Sequence, residues 1–247
     1  MSELNPTPLA LMGAAFSAWA PGGKLPEIFN LLQENQRWQA ALNTGKAWLA
    51  ENDAEALKAL LSEALDGPQS ACLYANMAVA LSADNSSEGH ILLDELGELL
   101  KIESRDASDL ARSMEHLVGK GVVRERENWV LCAAALLAMS AADSVESGKE
   151  TVFLDQFVPE PSVLNDARKL LDEIKTEGVL KKIQRMSGRE RKFLAANLFA
   201  MMFADGDWRG DEQELLDRFT NELYISRADA EGLLKATHAL FNLSVFG

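Results

Sequence analysis

The chain has 247 residues, 24 Lys+Arg against 38 Asp+Glu and a formal net charge of −14, with 47% hydrophobic and 25% charged residues. That balance belongs to a globular chain with a core to bury; it excludes a disordered chain, a disulfide scaffold and a membrane span. Residues 1–122 carry 17 acidic and 8 basic side chains and the remainder 21 and 16. Both halves therefore repel phosphate backbones and favour cationic partners, whether basic proteins or metal ions.

Ala and Leu far outnumber Val, Ile and Thr, a mix that favours helix over sheet and predicts an all-α fold. The first element is the apolar run Leu9 to Ala20. Ala18 and Ala20 resemble a cleavage site, but no Lys or Arg precedes the run, Glu3 does, and Pro21 would follow the cut. The run reads as an N-terminal amphipathic helix, and the expected compartment is the cytoplasm. Further breakers stand at Pro21-Gly22-Gly23, Asp66-Gly67-Pro68, Gly119-Lys120-Gly121, Pro159-Glu160-Pro161, Gly178, Ser187-Gly188 and Asp205-Gly206. Between them apolar residues recur at helical spacing: Leu92, Leu93, Leu96, Leu99 and Leu100; then Leu194, Leu198, Met201 and Met202; then Leu215, Leu216, Phe219 and Leu223. Val122 to Arg126 is β-branched and alternating, and reads as a short strand or extended loop. Cys72 and Cys132, the two cysteines, lie in apolar runs and are expected as lone buried thiols. A thiolate metal site is excluded.

A repeat underlies this order. Three apolar helices end in Ala-Asp, at Ala83-Asp84, Ala142-Asp143 and Ala204-Asp205, with the aspartates 59 and 62 residues apart. Each is followed by a polar stretch, an amphipathic helix and a helix led by serine. Ser104, Ser162 and Ser226 follow their aspartates by 20, 19 and 21 residues, and serine there is a good helix cap. A degenerate fourth copy starts at Ala20-Pro21. Tandem units of about 60 residues then fill the chain, read as an N-terminal helical unit over 1–122 and a C-terminal one over 123–247.

The stretch from Phe199 to Phe219 contains Ala204-Asp205-Gly206 and, seven residues after Asp205, Glu212. It resembles the TerB-like (tellurite-resistance) helical family, most strongly over residues 193–241. The copy at Asp143 keeps Glu150 but has Ser144 for glycine; the copy at Asp84 has Asn85 and Ile91. The resemblance implies paired helical units, a stress or metal-oxyanion response, proximity to membranes by peripheral association, and acidic clusters suspected of binding metal. It implies no enzymatic activity.

The densest acidic loop is Asp205, Asp207, Asp211 and Glu212, with Trp208 and Arg209 inside it. Hard cations such as calcium take several oxygens from a short flexible loop. Counted from Asp205 as an EF-hand, the loop fails at its fifth position, Arg209, and its twelfth, Leu216. The competing reading has Gly206 ending one helix and Asp211 and Glu212 favouring the positive end of the next. Asp143 with Glu150 is a second candidate cation pair. Trp208 is the tryptophan expected to be exposed and able to anchor a partner. Of the histidines, His116 and His238 occupy equivalent repeat positions, while His90, near Glu88 and Asp94, is expected on an exposed polar face.

These observations point to a non-enzymatic acidic interaction protein that binds a protein partner or a divalent cation through its Ala-Asp-Gly loops. Two alternatives stand beside it. Leu96 to Leu131 resembles a winged helix-turn-helix, with Arg105 to Val118 as recognition helix and Gly119 to Leu131 as wing, which would make a DNA-binding regulator. Asp106, Asp109 and Glu115 on that helix oppose phosphates. The other is a hydrolase with a carboxylate-held metal, for which no phosphate loop, nucleophile elbow or zinc motif is present.

Overall fold

The computed structural model describes residues 6–20, 36–82, 86–141, 148–204 and 210–246. Among them are twelve α-helices and two short 3₁₀ turns, and no strand, so the all-helical expectation holds. The chain divides into two compact units, one of residues 1–115 with 242–247 and one of residues 116–241.

The first unit opens with α1 (Pro8–Trp19), started by the Thr7 hydroxyl, which accepts from Ala10 N–H at 3.3 Å, and by Pro8 with its preset φ. α1 packs along α2 (Gln36–Glu51). Small residues allow this closeness. A Cβ at Gly13 would lie 2.5 Å from the Ala41 carbonyl oxygen, and one at Gly45 would lie 2.6 Å from that of Ala10. Phe16 meets the fully buried Trp38 edge-on at 5.5 Å beside this crossing. α3 (Ala54–Ala64) is capped by Asp53, 2.8 Å from Ala56 N–H. α4 (Gly67–Ser82) is buried continuously from Cys72 to Leu81 and forms the core helix. α5 (Ser87–Leu99) is capped by Ser86 and packs on α4 and α3. It ends at Lys101 with φ 55°, where Ile102 N–H reaches the Gly97 carbonyl at 3.0 Å and Lys101 N–H that of Glu98 at 3.1 Å. That is a Schellman closure with lysine in the place glycine usually takes. α6 (Ser104–Val118) follows. The second 3₁₀ turn, Leu243–Phe246, returns to α4, where Gln69 Nε2 donates to the Val245 carbonyl at 3.0 Å.

The second unit is built on α7 (Arg126–Ser140), buried on every side from Trp129 to Leu136, and on α10 (Gly188–Ala204). α9 (Pro161–Ile183) lies along α7, and α8 (Gly148–Phe157), α11 (Gly210–Glu222) and α12 (Arg227–Phe241) pack on α10. Trp129, Phe157 and Phe193 join α7, α8 and α10 with ring centroids 5.4–5.7 Å apart. The order apolar helix, amphipathic helix, third helix recurs as α4–α5–α6, α7–α8–α9 and α10–α11–α12. Of the expected serine caps, Ser226 caps α12, accepting from Asp229 N–H at 3.1 Å. Ser104 and Ser162 already lie inside their helices.

The wing expected over 119–131 is not formed; of the two readings for 122–126, strand or extended loop, the extended loop holds at Val123 to Glu125 and the strand does not. Lys120–Val122 is a single 3₁₀ turn and the helix α7 begins at Arg126. A strand needs a partner for its backbone, and the described residues contain none; the apolar side chains of Trp129, Val130 and Leu131 instead enter the core as one helical turn. Trp129 locks the corner by donating its indole N–H to the Val123 carbonyl at 3.0 Å.

Candidate functional site

Of the residues singled out as ligands, Asp143, Asp205, Asp207 and Trp208 lie outside the described residues. Asp211 and Glu212 fall in the first turn of α11, at the positive end of that helix. Glu150 sits in the first turn of α8 and is only 2% exposed. Among the described residues no three His, Cys, Asp or Glu side chains converge on a point that could hold a metal.

The described residues contain a different concentration of polar groups, in the first unit. A cleft of about 530 Å³ opens between α5 and α6, with Tyr74 of α4 in its lining. His90, Asp94 and Glu98 stand four residues apart on α5, and so share one face of that helix. Arg112 and Glu115 of α6 face the same opening. Leu93, Ile102 and Ala107 supply apolar wall. The two helices come close at Gly97, where a Cβ would lie 3.3 Å from Ala107 Cβ and 3.5 Å from Tyr74 Cε2. Glycine there lets α5 lie close against Ala107 and the edge of the tyrosine ring.

Asp94, Glu98 and Glu115 are exposed, and none is within ion-pair distance of a cation among the described residues. Neighbouring charges are already matched: Glu95 with Lys58 at 3.9 Å, and Arg112 with Asp109 at 3.9 Å. Tyr74 is 2% exposed, yet its hydroxyl has no hydrogen-bond partner among the described residues. Burial and, after it, the Asp94 carboxylate push its pKa up to about 12. The phenol therefore stays protonated, with a donor and an acceptor that no described residue takes up and that are open to solvent.

The second unit offers a contrast. A groove of about 420 Å³ between α7 and α9 is also charged. There Arg126 binds Asp166 at 2.8 Å and Glu160 at 3.4 Å, and Lys169 reaches Asp166 at 3.5 Å. The hydrogen bond from Arg126 holds the Asp166 carboxyl below the usual carboxylate range and raises the guanidinium in turn. Those charges are met within the groove, while Glu127 and Glu173 on its lining have no ion pair among the described residues. Cys72 and Cys132 are buried as expected. Burial raises both thiols, Cys72 to about 12 against a smaller opposing effect of the Asn76 amide.

Sequence reasoning noticed His90 beside Asp94 and placed Glu115 on its proposed recognition helix. It missed Tyr74, Glu98 and the cleft itself. The signal available was the four-residue stripe 90–94–98; Tyr74 sits in an apolar run where Ser70 is the one polar residue three or four positions away, and no charged residue marks it. No protein-family model matches the chain, and neither a curated protein nor a solved structure does.

Proposed function

We propose that the chain is an acidic helical interaction protein of the cytoplasm rather than an enzyme, and that the cleft between α5 and α6 receives a cationic segment of a protein partner. One observation carries this reading: three exposed carboxylates, Asp94, Glu98 and Glu115, border one cavity without a counter-ion among the described residues. All three line one opening, so a cation that enters it finds several carboxylates to pair with. The net charge of −14 steers such a partner from a distance. No described helix is long and apolar enough to cross a membrane. Kinship with the TerB-like family belongs to the same proposal; the Asp205, Gly206 and Glu212 pattern and the threefold recurrence of helix triplets support it.

The test is a calorimetric titration with a blocked peptide of alternating Arg and Ala. Binding is expected to weaken as salt rises, and to weaken several-fold in Asp94→Asn/Glu98→Gln/Glu115→Gln. A control with the same net charge, Glu51→Gln/Glu63→Gln/Asp172→Asn, removes three exposed carboxylates elsewhere. Equal loss in both variants would mean attraction to the whole surface and would overturn the cleft as the site.

A further inference from the structure

Within that reading, on which this inference rests, we propose that the cleft is built for an arginine side chain of the partner, with Tyr74 and Asp94 as the pair that selects guanidinium over ammonium. Tyr74 is the independent observation. Tyr74 is 98% covered as a residue, but its hydroxyl, bonded by no described residue, is not closed off from solvent and can exchange water for a ligand in the cleft. Tyr74 lines the cavity, and Asp94 is near enough to raise its pKa.

A guanidinium carries five N–H donors in one plane. It can bond the phenol oxygen with one edge and the Asp94 carboxylate with another. It is also weakly hydrated, so leaving water for a mouth walled by Leu93, Ile102 and Ala107 costs it less than it costs an ammonium. Glu98 and Glu115 then neutralise the charge from either side. Arg112, the cleft's own guanidinium, lies 3.9 Å from Asp109 in an exposed pair, and an arginine from outside competes with it for the cleft's carboxylates. Lysine presents a compact charge on a flexible stem and satisfies the carboxylates without reaching both acceptors in plane.

The experiment compares the Arg/Ala peptide with its Lys/Ala counterpart on wild type and on Tyr74→Phe. Phenylalanine keeps the ring and removes only an unbonded hydroxyl, so the fold is expected to persist. Wild type is expected to prefer the arginine peptide by about tenfold, the worth of one charge-assisted hydrogen bond. Tyr74→Phe is expected to bring the ratio close to unity while lysine-peptide binding stays as it was. The chain has two tyrosines, Tyr74 and Tyr224, so ring-carbon NMR gives a second readout: the signal lost in Tyr74→Phe should shift with the arginine peptide. Equal affinities for the two peptides in wild type, or a ratio unchanged in Tyr74→Phe, overturns the selection while leaving the cleft as a cation site. If neither peptide binds in a way that depends on Asp94, Glu98 and Glu115, the cleft reading itself falls and this inference with it.

Discussion

Glu190 shows how a single carboxylate can hold a helix start and two elements together. Its Oε2 accepts from Ser187 N–H at 2.8 Å, the Ser187 hydroxyl accepts from Glu190 N–H at 3.3 Å, and Oε1 accepts from the Asn128 amide at 2.8 Å. This is a capping box on α10 that also ties α10 to α7. Burial pushes the Glu190 pKa up, but the bonds from Ser187 and Asn128 outweigh it and leave the pKa below the ordinary 4.5. The stabilisation it contributes is therefore complete above about pH 4.5 and is lost as pH falls through the lower folded value. Glu190→Gln turns one acceptor into a donor that faces a donor, and is expected to cost about 1–3 kcal/mol at pH 7. Urea unfolding at pH 7 and pH 3 checks it: the gap between wild type and variant should shrink in acid, and an unchanged gap would assign the effect to packing.

Among the helices, α1 and α2 depend on an absence of side chain. Gly13→Leu would drive carbons into the Ala41 carbonyl, which the α2 backbone cannot move without shifting Trp38. A loss of about 3 kcal/mol is expected in denaturant unfolding, and a loss under 1 kcal/mol would show that the crossing gives way. α9 stores the opposite problem. Lys175 interrupts it at φ 57° and ψ 175°, a region nearly reserved for glycine, and Gly178 one turn on leaves room for the Ile174 side chain, 2.5 Å from where a Cβ would stand. Lys175→Gly is expected to raise stability by about 1 kcal/mol, read as a higher thermal midpoint; a lower midpoint would mean that the kink carries no strain. The elements themselves were legible in the sequence wherever an apolar period ran between breakers, as in α5 and α10. They were not legible at Val122 to Leu131, where β-branched local preference gave way to burial of Trp129 and its neighbours in the core.

At the scale of the molecule, an excess of 14 negative charges opposes compaction. Salt screens that repulsion more than it weakens the few exposed ion pairs. Raising NaCl from about 0.02 M to about 0.3 M is expected to lift the unfolding midpoint by about 2–4 °C, the response of a chain this size to roughly 1 kcal/mol. A fall would mean that surface pairs such as Arg126–Asp166 outweigh the net charge. The candidate site shows where sequence legibility ends. Helical class, most breaker positions (Gly178, inside α9, is the exception), two buried thiols and overall acidity follow from composition and from patterns spanning a few turns, because those depend on neighbours along the chain. The cleft, the kink at Lys175 and the helix in place of the wing were decided by the tertiary structure. Each depends on residues distant in sequence, as where Gly97 meets Ala107 and Tyr74, and only packing determines which carboxylates find a counter-ion and which remain open to a partner.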